Sequence, residues 1–537
     1  MEESNQGDWL VSHRVFVDCK RRGAVLTIGD ISRRGTRIFR DNEAVVFEGR
    51  RITYGEFDNR VNRLANALIG LGCLRGDRVA VYSENSHRFL EVYFAVAKAG
   101  LVVVPLNYRL SDQEILQILH NSEPVLLFFG DGFQDKVASI VDQAPSVKRL
   151  IAMDSPDENC LFYEELMLMA SGQDPLVPID ENDLVAIIYT GGTTGTPKGV
   201  MLSHRNIIVS AVSISLSSQF SHRDVTCMIL PLFHVAFWPA FCLMMVGGKV
   251  VLLRRPELEA ILSAIQDEKC THINAVPTLY TWMLDHPLLN SFDHSSLRLM
   301  SYSGSPMPSE VLRRCINKFG NIFAQGYGMT EAAPSVTFLY SEEHCLDGEK
   351  TNLLSSVGRE GLGVEVRIAD PEGKLLECGE VGEVIVRGAN IMQGYWRNEE
   401  MTKEKLRDGW LHTGDLGTLD EEGYLYLRDR KADMIITGGE NVYPTETENV
   451  IYQHPAVYEC AVVAVPDERW GERVQAAVVL KSGGTASESE IIGFCRSHLA
   501  HYKCPKEVVF WEDLPKSPVG KILRKDVRKK FVESRDE

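Results

Sequence analysis

The residues with the clearest capacity for chemistry form one short run, Tyr189–Gly199, which reads YTGGTTGTPKG. It follows an apolar stretch, Leu184–Ile188, that is typical of a buried strand. Glycines expose backbone N–H groups, threonines add hydroxyls and Lys198 adds a point charge, so the run is suited to binding an anion. A flexible surface loop would explain the glycines but not the order TGTPKG. An ordinary kinase or ATPase is disfavoured, because GxxxxGK[ST] does not fit a lysine between Pro197 and Gly199.

Five further motifs follow in the chain: Pro231–His234 (PLFH), Gln325–Glu331 (QGYGMTE), Trp410–Asp415 (WLHTGD), Asp429–Pro444 (DRKADMIITGGENVYP) and Pro515–Lys521 (PKSPVGK). In this order, and together with residues 189–199, they resemble the adenylate-forming superfamily of acyl-CoA synthetases, luciferases and peptide-synthetase adenylation domains. The resemblance spans most of the chain and is strongest to its acyl-CoA synthetase branch, similar to fatty-acid–CoA and 4-coumarate–CoA ligases. It implies an AMP-forming acid–thiol ligase that uses ATP, Mg²⁺ and coenzyme A.

The resemblance also implies where ATP and the metal bind. The phosphates would be held by Thr190, Gly191, Gly192, Thr193, Thr194, Gly195 and Lys198. The metal would be held by Glu331 beside Thr330, since Mg²⁺ prefers hard oxygen ligands. The adenine pocket would be formed by Gly304, Ser305, Pro306, Gln325, Gly326, Tyr327, Gly328 and Met329.

Three more sites follow from the same resemblance. Asp415 would accept the ribose hydroxyls, with Arg430 nearby, and Lys521 would bridge the carboxylate and the α-phosphate during adenylation. Catalytic roles are thus expected for Lys521, Lys198, Thr190 and Glu331. After a rotation of the C-terminal domain, the segment Gly438, Gly439, Glu440 and Asn441 would face the pantetheine thiol. The chain departs from the family at Ala432, where relatives carry Lys or Asp as the hinge, so the pivot is left open, with Lys431 and Asp433 as candidates.

The acid is expected to meet a pocket wall made by His234, Ala236, Phe237, Trp238, Gly304 and Gly326. Small glycines leave room and the aromatic side chains add apolar surface. This favours a medium- or long-chain fatty acid, with an aryl acid of the hydroxycinnamate type nearly as suitable. Three alternatives stay open: an acyl-AMP ligase that delivers to a carrier protein, a luciferase-like oxygenase and a non-catalytic binding relative. The last is disfavoured because Lys521, Glu331 and Asp415 are all present.

The elements that must position these residues alternate between helix and strand. The spacing of Phe57, Val61, Leu64 and Leu68 predicts a helix over 55–72. Strands are expected at 78–82 and 101–105, with a helix over 89–98 between them, which indicates an α/β fold around a largely parallel sheet. Strands at 364–370 and 383–388 predict a small β subdomain. We expect an N-terminal adenylation domain over residues 1–430 and an α+β lid domain over 431–537, with strands at 461–466 and 475–480 and a helix over 488–499.

Composition limits the partners and the compartment. The 537 residues carry a net charge of −17, which argues against nucleic-acid binding. Twelve scattered cysteines show no CxxC pair, as expected of reduced thiols in a cytoplasmic protein. The longest apolar run, residues 228–246, contains two prolines and a histidine, which favours a buried element over a transmembrane helix. The expected partners are the acid, ATP and CoA, and a homodimer is left open.

Overall fold

The computed structural model describes residues 26–190, 197–235, 239–305, 307–348, 350–430, 433–467, 469–517 and 520–536. The chain forms two compact units. The first contains the described residues up to Arg255, together with Thr330–Ala333 and Ala389–Glu399. The second contains Pro256–Met329, Pro334–Gly388 and the described residues from Glu400 onward.

The described helices are α1 Ile28–Phe39, α2 Tyr54–Gly70, α3 His87–Ala99, α4 Asp112–Ser122, α5 Gln134–Val141, α6 Tyr163–Leu168, α7 His204–Ser217, α8 Pro239–Val246, α9 Leu258–Glu268, α10 Pro277–Asp285, α11 Ser309–Phe319, α12 Glu399–Lys405, α13 Pro444–Ile451, α14 Glu488–His498 and α15 Arg524–Asp536. The described strands are β1 Glu43–Phe47, β2 Arg50–Thr53, β3 Arg78–Tyr82, β4 Val102–Pro105, β5 Leu126–Phe129, β6 Arg149–Ala152, β7 Leu161–Phe162, β8 Leu184–Thr190, β9 Lys198–Ser203, β10 Val225–Met228, β11 Lys249–Leu252, β12 His272–Ala275, β13 Leu299–Ser303, β14 Phe323–Tyr327, β15 Thr337–Leu339, β16 Arg359–Glu360, β17 Val364–Ala369, β18 Gly382–Gly388, β19 Gly394–Tyr395, β20 Leu406–Arg407, β21 Trp410–Leu419, β22 Leu425–Arg430, β23 Ile435–Thr437, β24 Glu440–Val442, β25 Val457–Asp467, β26 Gly471–Leu480 and β27 Glu507–Phe510.

The first unit is built on a sheet in the order β19-β9-β8-β4-β3-β5-β6-β7. Its strands β4, β3, β5, β6 and β7 pair in parallel, and β8 joins β4 in parallel before turning back antiparallel into β9. Helix α2 begins where the Thr53 side chain accepts from the Glu56 amide, and it buries Phe57, Val61, Leu64 and Leu68. The predicted α/β fold is confirmed, and the strand predicted at 78–82 is found with those bounds.

The described residues of the second unit contribute strands to three sheets. Strands β12, β13 and β14 pair in parallel and continue antiparallel into β15 and β16. The predicted β subdomain is an antiparallel sheet, β17-β18-β21-β20, with β22 on β21. The third sheet, β24-β23-β26-β25, carries β27 on β26 and packs against α13, α14 and α15. Residues 431 and 432 lie outside the described residues, and the domain boundary predicted there stays a prediction.

The apolar run at 228–246 ends in the short helix α8, whose residues from Pro239 to Met244 are buried. None of the described helices is both long and apolar enough to cross a bilayer.

Candidate active site

The two ends of the run predicted to bind phosphate, Thr190 and Lys198, lie on neighbouring antiparallel strands. Thr190 ends β8 and pairs with Lys198, which begins β9, so the two residues face each other across the two strands. Position 199 requires glycine, because a Cβ there would lie 2.7 Å from Ile187 Cγ2 and 3.0 Å from Tyr189 Cζ. Residues 191–196, which include the predicted ligands Gly191, Gly192, Thr193, Thr194 and Gly195, lie outside the described residues.

Tyr395 connects Lys198 to the predicted metal ligand. Its hydroxyl donates to Glu331 Oε1 at 2.8 Å. Its ring centroid lies 6.0 Å from Lys198 Nζ, at the edge of cation–π range. Strand β19 holds Tyr395 opposite Val200 of β9, while the Met392 amide donates to the Glu331 carbonyl at 2.9 Å. The fold therefore brings Lys198, Glu331 and the buried Thr330 of the same short helical turn to one place.

This arrangement fits a magnesium ion. Mg²⁺ is usually held by one or two carboxylates, with substrate phosphates and water completing an octahedron of oxygen atoms. Glu331 supplies such a carboxylate, and only its Oε1 accepts from Tyr395. Among the described residues there is no cluster of three or more His, Cys, Asp and Glu side chains that could hold a metal by protein ligands alone.

In the second unit, Asp415 is the centre of a polar group. Its Oδ2 accepts from the Tyr327 hydroxyl at 2.6 Å, and its Oδ1 lies 3.6 Å from Arg430 Nε. Strands β21 and β22 place Asp415 directly opposite Arg430. Burial of the phenol, together with the Asp415 charge, raises the pKa of Tyr327 well above its usual value. The phenol therefore stays protonated and remains a donor, so the carboxylate is fixed in orientation.

The predicted adenine wall follows the carboxyl ends of β13 and β14, where Ser303 pairs with Gly326. Gly304 comes next with a φ of +85°, which favours glycine. A Cβ on Gly326 would meet no atom of the described chain within 4 Å, whereas a Cβ on Gly328 would lie 1.5 Å from the Pro334 carbonyl oxygen. Gly326 therefore borders open space, and Gly328 is required by backbone packing.

The other residues predicted to form the adenine wall differ in burial. The side chain of Gln325 is buried and its Oε1 accepts from the Tyr302 hydroxyl at 3.2 Å. Ser305 and Met329 are half-buried, and Pro306 lies outside the described residues.

Lys521 lies on a tight loop. The Ser517 amide donates to the Lys521 carbonyl at 2.6 Å, and the Lys521 amide donates to Ser517 Oγ at 3.1 Å. Burial and the positive charge of Arg430 lower the pKa of the Lys521 ammonium to about 8, against the opposing effect of Asp415. The lysine thus shares its surroundings with the Asp415–Arg430 pair, and its role at the nucleotide stays a prediction.

Arg524, three residues beyond Lys521, links α15 to the end of β22. It donates to Asp429 Oδ1 at 2.6 Å and to both oxygens of Glu448, at 3.0 and 2.6 Å. A further ion pair joins it to Asp433 at 3.5 Å. Asp429 precedes Arg430, so this group fixes the strand end that carries the arginine of the candidate ribose site.

Gly438 and Gly439 form the two-residue turn between β23 and β24, with φ values of +61° and +89°. Glycine suits such a turn because both central residues have positive φ. A Cβ on Gly438 would lie 2.7 Å from Trp470 Cε3. The turn and the adjoining Glu440 are exposed, so the predicted CoA-facing segment is accessible in this structure.

The loop that contains His234 is held by hydrogen bonds to Asn85 and Tyr93. Asn85 Oδ1 accepts from the Leu232 amide at 2.8 Å, and the Tyr93 hydroxyl donates to the Leu232 carbonyl at 2.8 Å. His234 is half-buried, with its amide donating to the Pro231 carbonyl. The other predicted wall residues of this loop, Ala236, Phe237 and Trp238, lie outside the described residues.

The structure assembles two groups from the predicted residues: Thr190, Lys198, Thr330 and Glu331 in the first unit, and Tyr327, Asp415, Arg430 and Lys521 in the second. Sequence reasoning did not single out Tyr395, Arg524 or Asn85. Tyr395 and Trp396 form an aromatic pair of the kind expected in a core, and only the fold shows that the Tyr395 hydroxyl reaches Glu331.

Two family comparisons match the chain. Residues 33–396 match the family described as AMP-binding enzyme, and residues 446–521 match the AMP-binding enzyme C-terminal domain. Among curated relatives, a feruloyl-CoA synthase of Amycolatopsis sp is 38% identical over 91% of this chain and 96% of its own length. The long-chain-fatty-acid–CoA ligase FadD13 of Mycobacterium tuberculosis is 35% identical over 90% and 93%.

The fold has close solved counterparts. ATP-bound MatB from Rhodopseudomonas palustris superposes with a TM-score of 0.85 at 32% identity, covering 94% of this chain and 99% of MatB.

Proposed function

Because this chain belongs to the AMP-binding enzyme family, as an AMP-forming acid–thiol ligase of its acyl-CoA synthetase branch, we propose that it activates an acid with a large apolar body, foremost a medium- or long-chain fatty acid. The observation that carries the proposal is the open space at Gly326, where a Cβ would meet no described atom within 4 Å. Gly304 likewise has no side chain at the end of β13. An acyl chain needs such a side-chain-free wall.

In the first half-reaction the carboxylate oxygen attacks the α-phosphorus of ATP, and pyrophosphate leaves with the electrons of the broken P–O bond. A carboxylate is already ionised at neutral pH, so no general base is needed. Negative charge develops on the phosphoryl oxygens, and fixed cations stabilise it. We assign this role to Lys521 at the α-phosphate and to Lys198 and Thr190 at the outer phosphates.

Asp415, Tyr327 and Arg430 orient the nucleotide in this proposal. Asp415 accepts the ribose hydroxyls, and the Tyr327 hydroxyl at 2.6 Å keeps its carboxylate in one rotamer. Arg430 adds a positive charge on the same side. Glu331 and Thr330 would hold Mg²⁺, which would neutralise phosphate charge when bound.

In the second half-reaction the CoA thiol, as thiolate, attacks the acyl carbonyl and AMP leaves. We assign the exposed segment Gly438, Gly439 and Glu440 to the thiol approach, since glycines let a narrow chain pass close to the backbone. This requires the segment to replace Lys521 at the acyl-adenylate, with a pivot near Asp433. A cytoplasmic location is part of the proposal, and the described cysteines are free thiols as a reducing compartment keeps them.

An aryl acid of the hydroxycinnamate type is the second candidate. The observation in its favour is the 38% identity with the feruloyl-CoA synthase, above the 35% shared with the fatty-acid ligase. An aromatic ring would use the same open space beside Gly326.

The test is acid-dependent AMP formation over a panel of short, medium and long fatty acids and of aryl acids, with and without CoA. CoA-dependent turnover that is highest with medium or long fatty acids supports the proposal, and a preference for aryl acids selects the second candidate. Pyrophosphate release that is indifferent to CoA, with acyl-AMP retained, indicates a carrier protein. Lys521→Ala should lose the first half-reaction and keep acyl transfer from supplied acyl-AMP. Lys529→Ala, an exposed lysine of α15, is the matched control.

A further inference from the structure

The loop that carries Lys521 is closed by its own backbone. Lys516 and Ile522 form an antiparallel bridge at its base, and the Gly520 amide donates to the Ser517 carbonyl at 2.8 Å near its tip. Gly520 has a φ of +84°, so the tip takes a conformation that glycine adopts readily. These bonds hold the described ends of the loop together, but they do not fix where Gly520 and Lys521 lie relative to Asp415 and Arg430.

The position of the Lys521 loop is set by a hydrogen bond from outside the loop. The Thr278 hydroxyl donates to the Gly520 carbonyl at 3.1 Å, from the first turn of α10. The approach is close, because a Cβ on Gly520 would lie 2.8 Å from Thr278 Oγ1 and 3.5 Å from Val276 Cγ2. Gly520 directly precedes Lys521, so the carbonyl held by Thr278 belongs to the peptide unit from which the lysine side chain starts.

We propose that Thr278 is a positioning residue, which docks the Gly520 carbonyl and thereby places the Lys521 ammonium for adenylation. The inference rests on the proposed function, in which Lys521 acts at the α-phosphate. A lysine side chain is long and flexible, so fixing its backbone limits the ammonium positions that must be sampled. Thr278 touches no reacting atom, and its effect reaches the chemistry through Lys521 alone.

The hydrogen bond between Thr278 and the Gly520 carbonyl is expected to serve adenylation and not thioester formation. If a different face of the C-terminal domain replaces Lys521 for thioester formation, the Gly520 carbonyl must leave Thr278 first. Removal of the hydroxyl should therefore slow adenylation and leave acyl transfer from acyl-AMP unchanged. One neutral hydrogen bond of ordinary strength corresponds to roughly a 2- to 10-fold effect.

The test compares Thr278→Val, which keeps the shape but loses the donor, with Thr278→Ser, which keeps the donor. We expect Thr278→Val to lower acid-dependent ATP–pyrophosphate exchange roughly 2- to 10-fold, with Thr278→Ser close to the parent enzyme. Thr281→Val is the matched control, because its hydroxyl donates within the same helix to the Pro277 carbonyl. Equal losses in both half-reactions, or no loss in exchange, would overturn the proposal.

A second measurement does not depend on turnover. Amide hydrogen exchange of the peptide spanning Lys516–Leu523 should be faster in Thr278→Val and unchanged in Thr281→Val. Gly520→Ala, whose new Cβ would collide with Thr278 Oγ1, should show the same faster exchange. If the parent enzyme forms AMP with no acid, the proposed function fails. The amide hydrogen-exchange data still report whether Thr278 holds the Gly520 carbonyl. If Lys521→Ala abolishes adenylation but Thr278→Val does not, and if Thr278→Val leaves amide hydrogen exchange of the peptide Lys516–Leu523 unaltered, only the role of Thr278 fails.

Discussion

The Tyr395 hydroxyl donates to Glu331 Oε1 at 2.8 Å, which reserves one oxygen of the predicted metal ligand for a protein partner. The same ring lies 6.0 Å from Lys198 Nζ. One side chain therefore orients the carboxylate expected to hold Mg²⁺ and borders the lysine expected to hold the phosphates. Hydrogen bonds of this kind commonly determine the direction in which a ligand oxygen points.

Tyr395→Phe tests that relationship, because it removes the hydroxyl and keeps the ring beside Lys198. We expect the concentration of free Mg²⁺ needed for half-maximal pyrophosphate exchange to rise roughly 10-fold, the usual scale for loss of a ligand-orienting bond. The binding of ATP in the absence of Mg²⁺, measured by calorimetry, should be unchanged.

Tyr426→Phe is the control for Tyr395→Phe, since it also removes a tyrosine hydroxyl from a carboxylate, that of Asp420, outside the candidate site. A Mg²⁺ requirement that is identical in Tyr395→Phe and in the parent enzyme would contradict the orienting role. An equal rise in both variants would mean that the effect is not specific to Glu331.

The pH dependence of adenylation should report Lys521. Burial and Arg430 lower the pKa of its ammonium to about 8, so the cation is present below that pH and lost above it. The rate of pyrophosphate exchange should therefore fall as pH rises through about 8. Lys521→Arg keeps a positive charge at high pH, because the guanidinium does not deprotonate in this range. Its rate should be lower but free of the alkaline fall, and an unchanged fall would assign the transition to another group.

The fold was largely predictable because its signals are local. The short apolar run within residues 78–82 and the helical spacing from Phe57 to Leu68 each depend on neighbours within a few positions, and the strand and the helix that they predict are confirmed. Helix α2 begins one residue before the predicted start and ends two residues before the predicted end. Leu71 and Gly72 take the C-terminal turn, with Gly72 at a φ of +88°.

The site was less predictable because its contacts join distant positions. Tyr395 lies 64 residues from Glu331, and Thr278 lies 242 residues from Gly520. Neither threonine nor tyrosine has a local pattern that distinguishes a donor at a site from an ordinary core or helix-start residue. The motifs located Lys198, Glu331, Asp415 and Lys521, whereas the residues that hold them in place required the fold.

Arg524 should contribute more to stability than its neighbours on α15. Its side chain is 18% exposed, and it pairs with the 2% exposed Asp429 and with Glu448. Arg524→Met would leave both carboxylates without this partner, and removal of one member of a buried ion pair costs about 3–5 kcal/mol. We expect the thermal midpoint to fall by several degrees. Arg528→Met should have little effect, because Arg528 is 45% exposed where it pairs with Glu472. Equal falls in the thermal midpoint of Arg524→Met and Arg528→Met would show that the ion pairs of Arg524 add no more stability than a surface ion pair.

Asp415 should control discrimination between ribose and deoxyribose. If its carboxylate accepts the ribose hydroxyls, the parent enzyme should prefer ATP to 2′-deoxyATP, and Asp415→Ala should lose most of that preference along with affinity. Tyr327→Phe, which frees Oδ2 of Asp415, should raise the KM for ATP by a smaller factor, on the scale of roughly 10-fold for one hydrogen bond to a charged group. A parent enzyme that does not distinguish the two nucleotides would rule out the ribose contact.

The space beside Gly326 should set the size of the acid. A Cβ there meets no described atom within 4 Å, so Gly326→Ala should fold normally and Gly326→Leu should project into the open region. We expect the preferred acid to become progressively shorter from the parent enzyme to the Ala and Leu variants, measured as kcat/KM across the acid panel. Gly493→Ala, at another glycine with free space but on helix α14, is the matched control and should leave the preference unchanged. If Gly326→Leu retains the parent preference for long or aryl acids, the acyl group does not pass this glycine and the wall must be sought near His234.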